Sequence, residues 1–229
     1  QKNQIIGEVA HDLKAPLQRI HGLSQLLLSN SDNMNDKQQK YVSAIIECEY
    51  EGLQIINNYL DIKSIENNSI KLNFTSFDIM SKILSTIKGF YWLSNGKGIK
   101  IQLEKPEDSL IIVSDVLVVQ RALDNLISNA IKYSNKNSDI TLKVSRDDSS
   151  IQIAVKDLGV GVPEEMREEL FKKRGSLGYR PTNNEKTHGL GLYNTKKLLS
   201  LIGGEVRYNP NLPQGSVFTI QIPKSQPSQ

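Results

Sequence analysis

The stretch Val9-Ala10-His11-Asp12-Leu13-Lys14-Ala15-Pro16-Leu17 sets a histidine beside a carboxylate in a segment that reads as helix. Around it, Ile6, Val9, Leu13, Leu17, Ile20, Leu23 and Leu27 recur at the spacing of one helical face. Pro16 removes a backbone donor there and predicts a bend rather than an end. A neutral imidazole is a nucleophile, and a neighbouring carboxylate can hold its tautomer and accept its proton. By themselves these two residues read as an ordinary surface or satisfied core position more often than as a reactive pair.

Outward from this stretch, the polar run Ser29–Asn33 with Asn35 and Asp36 is a break supplied with capping residues. A second helix follows. Tyr41, Ile45, Cys48, Gly52, Ile55, Tyr59 and Ile62 form one heptad seam, and Val42, Ile46, Leu53, Ile56 and Leu60 form another beside it. Two adjacent seams are too wide for a two-stranded coil and fit a helix inside a four-helix bundle. One chain supplies only two long helices, so the pattern predicts a homodimer; the alternative is a hairpin packed on the chain's own second domain. Cys48 falls among the apolar positions and is expected to be a buried thiol. His21 reads as a bundle residue.

The run Glu66-Asn67-Asn68-Ser69 reads as a linker, after which the chain changes character. Short strands are expected over 70–77, 100–103 and 110–113, a hairpin over 140–146 and 151–156, and closing strands over 205–208 and 216–220. Asp78 is placed to cap a helix running to about Ser94, and Ser114 or Asp115 to cap the next. A further helix is expected from Gly189 to Leu201. The expected division is a helical domain over 1–67, a mixed domain over 71–223 built from helices on one face of mainly antiparallel strands, and a disordered tail over 224–229.

Composition narrows the possibilities. The 229 residues carry a formal charge of +3, with basic residues scattered, which argues against a nucleic-acid partner. A single cysteine excludes an internal disulfide framework and suits a reducing, cytoplasmic setting. No apolar run approaches membrane-spanning length. The sequence begins at Gln1 in apparent mid-helix and reads as a fragment, with any sensing or membrane segment upstream.

Asn125, Asn129 and Lys132 share one helical face, and amide oxygens suit a hard cation while the lysine suits phosphate. A solvated face would look similar. Asp157 ends an expected strand and is followed by Gly159 and Gly161, a pattern that is also an ordinary turn. Gly189-Leu190-Gly191 opens a helix whose unpaired amides can hold phosphate.

Together these segments resemble the sensor histidine kinases of two-component systems. The 11–17 stretch resembles their phospho-acceptor box, Asp124–Tyr133 their asparagine box, Asp157–Pro163 and Gly189–Leu192 their glycine boxes, and Gln214–Phe218 the last motif, in family order along nearly the whole chain. The resemblance implies an α+β architecture: a two-helix hairpin forming a dimeric four-helix bundle, then an α/β sandwich of the Bergerat ATP-binding type. It implies ATP and Mg2+ as cofactors, His11 as the phosphorylated residue and Asp12 as its base. It further implies nucleotide contacts from Asn125, Asn129, Lys132, Tyr133, Asp157, Gly159, Gly161, Gly189 and Gly191, with Asn129 on the metal and Asn125 alongside. The partner it implies is a response-regulator receiver domain that takes the phosphoryl group on an aspartate.

Departures from the family pattern stand at Leu158, where asparagine is usual, and at Thr187, where glycine is usual. The segment between Phe171 and His188 resembles the family's nucleotide lid. Ala15 stands four residues after His11, where Thr or Asn would help position a water for regulator dephosphorylation, so weak phosphatase activity is expected. Two other classes compete: an ATP-hydrolysing conformational machine like gyrase or the heat-shock chaperones, and a degenerate scaffold. Asn125 stands where those hydrolases carry a water-activating glutamate, and an amide cannot act as a base.

Overall fold

Asn35 closes the break between two long helices through a capping box. Its side chain accepts from the Gln38 amide at 2.9 Å, while the Gln38 side chain accepts from the Asn35 amide at 2.9 Å. The computed structural model describes residues 2–29, 34–67, 69–105, 109–173 and 189–225, and it separates into the units Gln1–Ser69 and Ile70–Gln229. The first unit is the hairpin of α1 (Lys2–Ser29) and α2 (Asp36–Glu66). Pro16 lies inside α1 without ending it.

The hairpin buries Ala10, Ser24 and Leu28 of α1 with Val42, Ile46 and Ile62 of α2. The other seam is turned outward: Tyr41, Ile45, Ile55 and Tyr59 are exposed, as are Leu13, Leu23 and Leu27. Cys48 belongs to that outward seam and is exposed, not buried as its apolar neighbours suggested. The buried residue is the next one, Glu49. It meets His21 Nδ1 at 2.8 Å, and the Gln25 Nε2 amide donates to His21 Nε2 at 2.9 Å. With Nε2 accepting, Nδ1 carries the proton and donates to Glu49. Burial raises the Glu49 carboxyl above its usual range, against the hydrogen bond from His21.

The second unit holds a five-stranded sheet in the order β2-β4-β5-β7-β6 and a two-stranded sheet β1-β3. The strands are β1 (Phe74–Asp78), β2 (Lys100–Glu104), β3 (Ile111–Asp115), β4 (Asp139–Arg146), β5 (Ser150–Lys156), β6 (Glu205–Pro210) and β7 (Ser216–Pro223). Pairing is antiparallel except between β2 and β4, which run parallel. The helix expected from Asp78 to Ser94 is split into α3 (Ile79–Gly89) and α4 (Tyr91–Gly96) about the buried Phe90. A short α6 (Glu164–Arg167) has no counterpart in the sequence reading. Lys224, assigned to the tail, is held instead: its amide donates to Ser149 O and its carbonyl accepts from the Val113 amide, each at 2.9 Å.

Strand alternation sends Ile151, Ile153 and Val155 of β5 and Phe218, Ile220 and Ile222 of β7 to the buried face. Over that face lie α5 (Val116–Tyr133) and α7 (Gly191–Leu201), which touch each other. Leu123, Leu126 and Ile127 of α5 and Leu198 and Leu199 of α7 are fully or nearly fully buried there.

Asp115 starts α5 and ties it to the β1 side. One carboxylate oxygen accepts from the Leu117 and Val118 amides at 2.9 and 3.0 Å, and the other from the Asn73 amide at 2.7 Å. Replacing it removes a helix cap and leaves amides in a buried place without an acceptor. Asp115→Ala is expected to destabilise this unit by about 2 kcal/mol, seen as a lower urea midpoint with an unchanged slope.

Candidate functional site

Asp157 is the next residue after β5, and the period of two places it on the same buried face as Ile153 and Val155. It is 2 % exposed. Its amide donates to Ser216 O at 2.9 Å, extending the β5–β7 ladder by one pair. Its carboxylate Oδ1 accepts from the Gly159 amide at 2.9 Å and the Ser216 amide at 3.1 Å. The Asn211 side chain donates to the Asp157 carbonyl at 2.8 Å. Burial pushes the Asp157 carboxyl up to about 6, with the Gly159 and Ser216 amides acting in the opposite direction.

Close approach constrains two of the glycines around it. A Cβ on Gly159 would come within 2.3 Å of the Tyr133 carbonyl oxygen, so only glycine lets the end of α5 meet this turn. A Cβ on Gly191 would come within 2.2 Å of Asn125 Oδ1, where the start of α7 meets α5. The Asn125 amide is turned by its Nδ2 donating to Thr195 Oγ1 of α7 at 2.9 Å. Gly161 and Gly189 have left-handed φ of 71° and 64°. Asn129 and Lys132 continue the Asn125 stripe and are half-buried, while Leu126, Ile127 and Ala130 turn into the core.

The arrangement suits a nucleotide. A buried carboxylate held by amides on one side can accept from an amino group. Oxygen-donor amides on α5 suit Mg2+ shared with phosphate.

Two family profiles match the chain. That described as "His Kinase A (phospho-acceptor) domain" matches residues 1–68, and that described as "Histidine kinase-, DNA gyrase B-, and HSP90-like ATPase" matches residues 114–226. Among similar proteins, circadian input-output histidine kinase CikA of Synechococcus elongatus is 28 % identical, over 97 % of this chain and 30 % of its own. Signal transduction histidine-protein kinase BarA of Escherichia coli is 26 % identical, over 96 % of this chain and 24 % of its own. The chain belongs to the histidine kinase family. It spans less than a third of the length of these relatives. Among solved structures, full-length ShkA in complex with AMPPNP shares the fold with a TM-score of 0.67 at 23 % identity, covering 99 % of this chain and 47 % of that one. The catalytic domain of histidine kinase ThkA gives 0.59 at 24 % identity, covering 68 % of this chain and 99 % of that one.

Within this kinase-family chain, the structure brings Tyr133, Asp157 and Gly159 together at the end of α5 and Asn125 and Gly191 together two turns earlier, with Gly161 against Gly215 of the β6–β7 turn. Asn129 and Lys132 share the α5 stripe, and Gly189 lies just before α7. His11 and Asp12 lie on α1 in the other unit; Asp12 is exposed, and the His11 side chain lies outside the described residues. Thr187, His188 and the lid segment from residue 174 also lie outside them.

Sequence reasoning missed Asn211 and Ser216 as supports of Asp157. Ser216 was legible as part of the last motif; Asn211 carried no signal, because its role depends on a turn closing across the sheet. It also missed Asp124, beside Asn125. Burial pushes that carboxyl up to about 6, opposed by the Gln120 side chain and the charge of Lys82.

The raised Asp157 value sets a pH dependence. The unfolded carboxyl loses its proton near 3.8 and the folded one near 6, so across that window the folded chain binds more protons and its stability falls as pH rises. Nucleotide binding runs the other way, because the ionised carboxylate is the better acceptor. ATP affinity is expected to rise between about pH 5 and pH 7.5 in the parent relative to Asp157→Asn. At the upper end the variant is expected to bind about tenfold to a hundredfold more weakly, read by titration calorimetry.

Proposed function

We propose that this chain is the kinase core of a two-component system: it binds Mg-ATP in its second unit, phosphorylates His11, and passes the phosphoryl group to a receiver-domain aspartate. The observation that carries this reading is Asp157, a buried carboxylate fixed by two backbone amides beside Gly159, where any side chain would meet the Tyr133 carbonyl. On this reading Asp157 accepts from the adenine amino group, and the backbone at Gly161, Gly189 and Gly191 lines the nucleotide. Tyr133 contributes the carbonyl that seats Gly159, and Lys132 supplies charge toward the phosphates. Mg2+ bound by Asn129, with Asn125 alongside, would neutralise triphosphate charge.

Phosphoryl transfer depends mainly on positioning and electrostatics. The imidazole lone pair of His11 attacks the γ-phosphorus, the bond to the β–γ bridging oxygen breaks, and ADP leaves with that electron pair. The proton on the other ring nitrogen passes to Asp12. Supporting kinase over hydrolase, the position on α5 that would activate water is Asn125, whose amide is turned toward Thr195 and lacks a basic oxygen. Residues 1–67 then act as the dimerisation and phosphotransfer domain and 71–223 as the catalytic domain.

The test is incubation of the chain with γ-labelled ATP and Mg2+. Label on protein, acid-labile and base-stable, is expected, and His11→Gln is expected to abolish it while ATP binding persists. Release of free phosphate alone would make the chain a hydrolase, and neither product would make it a scaffold.

The outward apolar seam of the hairpin supports a second copy of this chain as its cover. Light scattering is then expected to give twice 25.7 kDa. Cys48, exposed on that seam, is expected to react more slowly with a thiol reagent as chain concentration rises. A monomer at high micromolar concentration with concentration-independent Cys48 reactivity would contradict the dimer.

A further inference from the structure

Lys97 follows α4 and is 7 % exposed, an uncommon degree of burial for a lysine. Its ammonium donates to the Ile131 carbonyl at 3.0 Å and the Lys132 carbonyl at 3.2 Å. Both belong to the last turn of α5, which ends at Tyr133 and so leaves its final carbonyls without partners within the helix. The Ser134 amide takes the Ala130 carbonyl at 3.0 Å, and Lys97 takes the next two. A cation at this end also opposes the negative pole of the helix. Lys97 is itself held, since its carbonyl accepts from the Asn137 amide at 2.9 Å.

The turn so clamped lies against the Asp157 segment. The Tyr133 carbonyl follows directly on the two that Lys97 binds, and it is the atom a Cβ on Gly159 would approach to 2.3 Å. The Gly159 amide in turn donates to Asp157 Oδ1 at 2.9 Å. The chain of contacts runs from the Lys97 ammonium through the end of α5 to the carboxylate. Lys132 hangs from the same turn, and Asn129 from the turn before it.

We propose that Lys97 is a positioning residue of the nucleotide site: it fixes the last turn of α5 so that the Tyr133 carbonyl seats Gly159 and Asp157 while Lys132 keeps its direction. The inference rests on the nucleotide reading of Asp157. Lys97 acts through α5 and touches no part of the nucleotide itself. A lysine that only capped the helix would lower the stability of the unit and leave ATP affinity unchanged in the protein that remains folded.

The full chain is compared with Lys97→Met, Lys97→Gln and Lys97→Arg, well below each melting temperature. Kd for ATP with Mg2+ is measured by calorimetry, and KM and kcat by autophosphorylation. Lys97→Met is expected to raise Kd and KM by roughly three- to thirtyfold. The fall in kcat at saturating ATP is expected to be smaller than the rise in KM. Lys97→Arg, still cationic and long enough to reach, is expected to recover most of the affinity, and amide hydrogen exchange at Gly159 is expected to quicken in Lys97→Met alone. If Lys97→Met does not fold, Lys97→Gln, which keeps a donor without the charge, is read in its place. A lower melting temperature with parental ATP affinity overturns the proposal, as does an affinity loss that Lys97→Arg does not relieve. If the parent itself binds no ATP, the nucleotide reading falls and Lys97 with it; if the parent binds and Lys97→Met binds equally, only the role of Lys97 falls.

Discussion

Putting a carboxylate where water hardly reaches is expensive, and in this chain the surroundings of Asp157 are organised to meet that cost. The Gly159 and Ser216 amides converge on one carboxylate oxygen, and Asn211 holds the residue's carbonyl from the far turn. Those contacts need β5 and β7 in register, the β6–β7 turn folded back on Asp157, and the end of α5 brought up against a glycine. The raised carboxyl shows that the amides compensate only part of the desolvation. On the nucleotide reading, that residual cost belongs to a group kept for binding rather than for stability.

The hairpin is held by a different balance. Its inner seam is mainly apolar but also buries Ser24, Glu49 and Asp61, and the bond between Glu49 and His21 fixes one polar pairing and selects the Nδ1–H tautomer of the ring. Its outer seam leaves tyrosines, leucines and isoleucines facing solvent, more apolar surface than one chain covers. The exposed leucines of that surface lie on α1, the helix that carries His11 and Asp12. On the proposed reading, covering the outer seam with a second copy would fix the helix that bears the acceptor histidine, so assembly and chemistry would share one element.

Periodicity made the hairpin and the core of α5 legible, because burial there follows the helical repeat from Val42 to Ile46 and from Leu123 to Ile127. The caps at Asp78 and Asp115 were legible for the same local reason: a short acceptor stands just before an apolar run. What failed depended on distant parts of the chain. Cys48 and Glu49 are neighbours, and only the position of α1 decides which of them is covered. The break falls at Phe90, whose ring is buried and whose backbone leaves the helical region. Lys97 looked like one more scattered cation, since the carbonyls it binds are 34 and 35 residues away. The candidate site was legible as a set of motifs, but its supports at Asn211 and Lys97 exist only through folding.

The most direct test is a crystal structure of the chain with Mg2+ and a non-hydrolysable ATP analogue. The account predicts the adenine exocyclic nitrogen at about 3 Å from the Asp157 carboxylate and the triphosphate running toward Asn129 and the start of α7. An adenine held elsewhere, with Asp157 still bonded only to its own backbone neighbours, would contradict it.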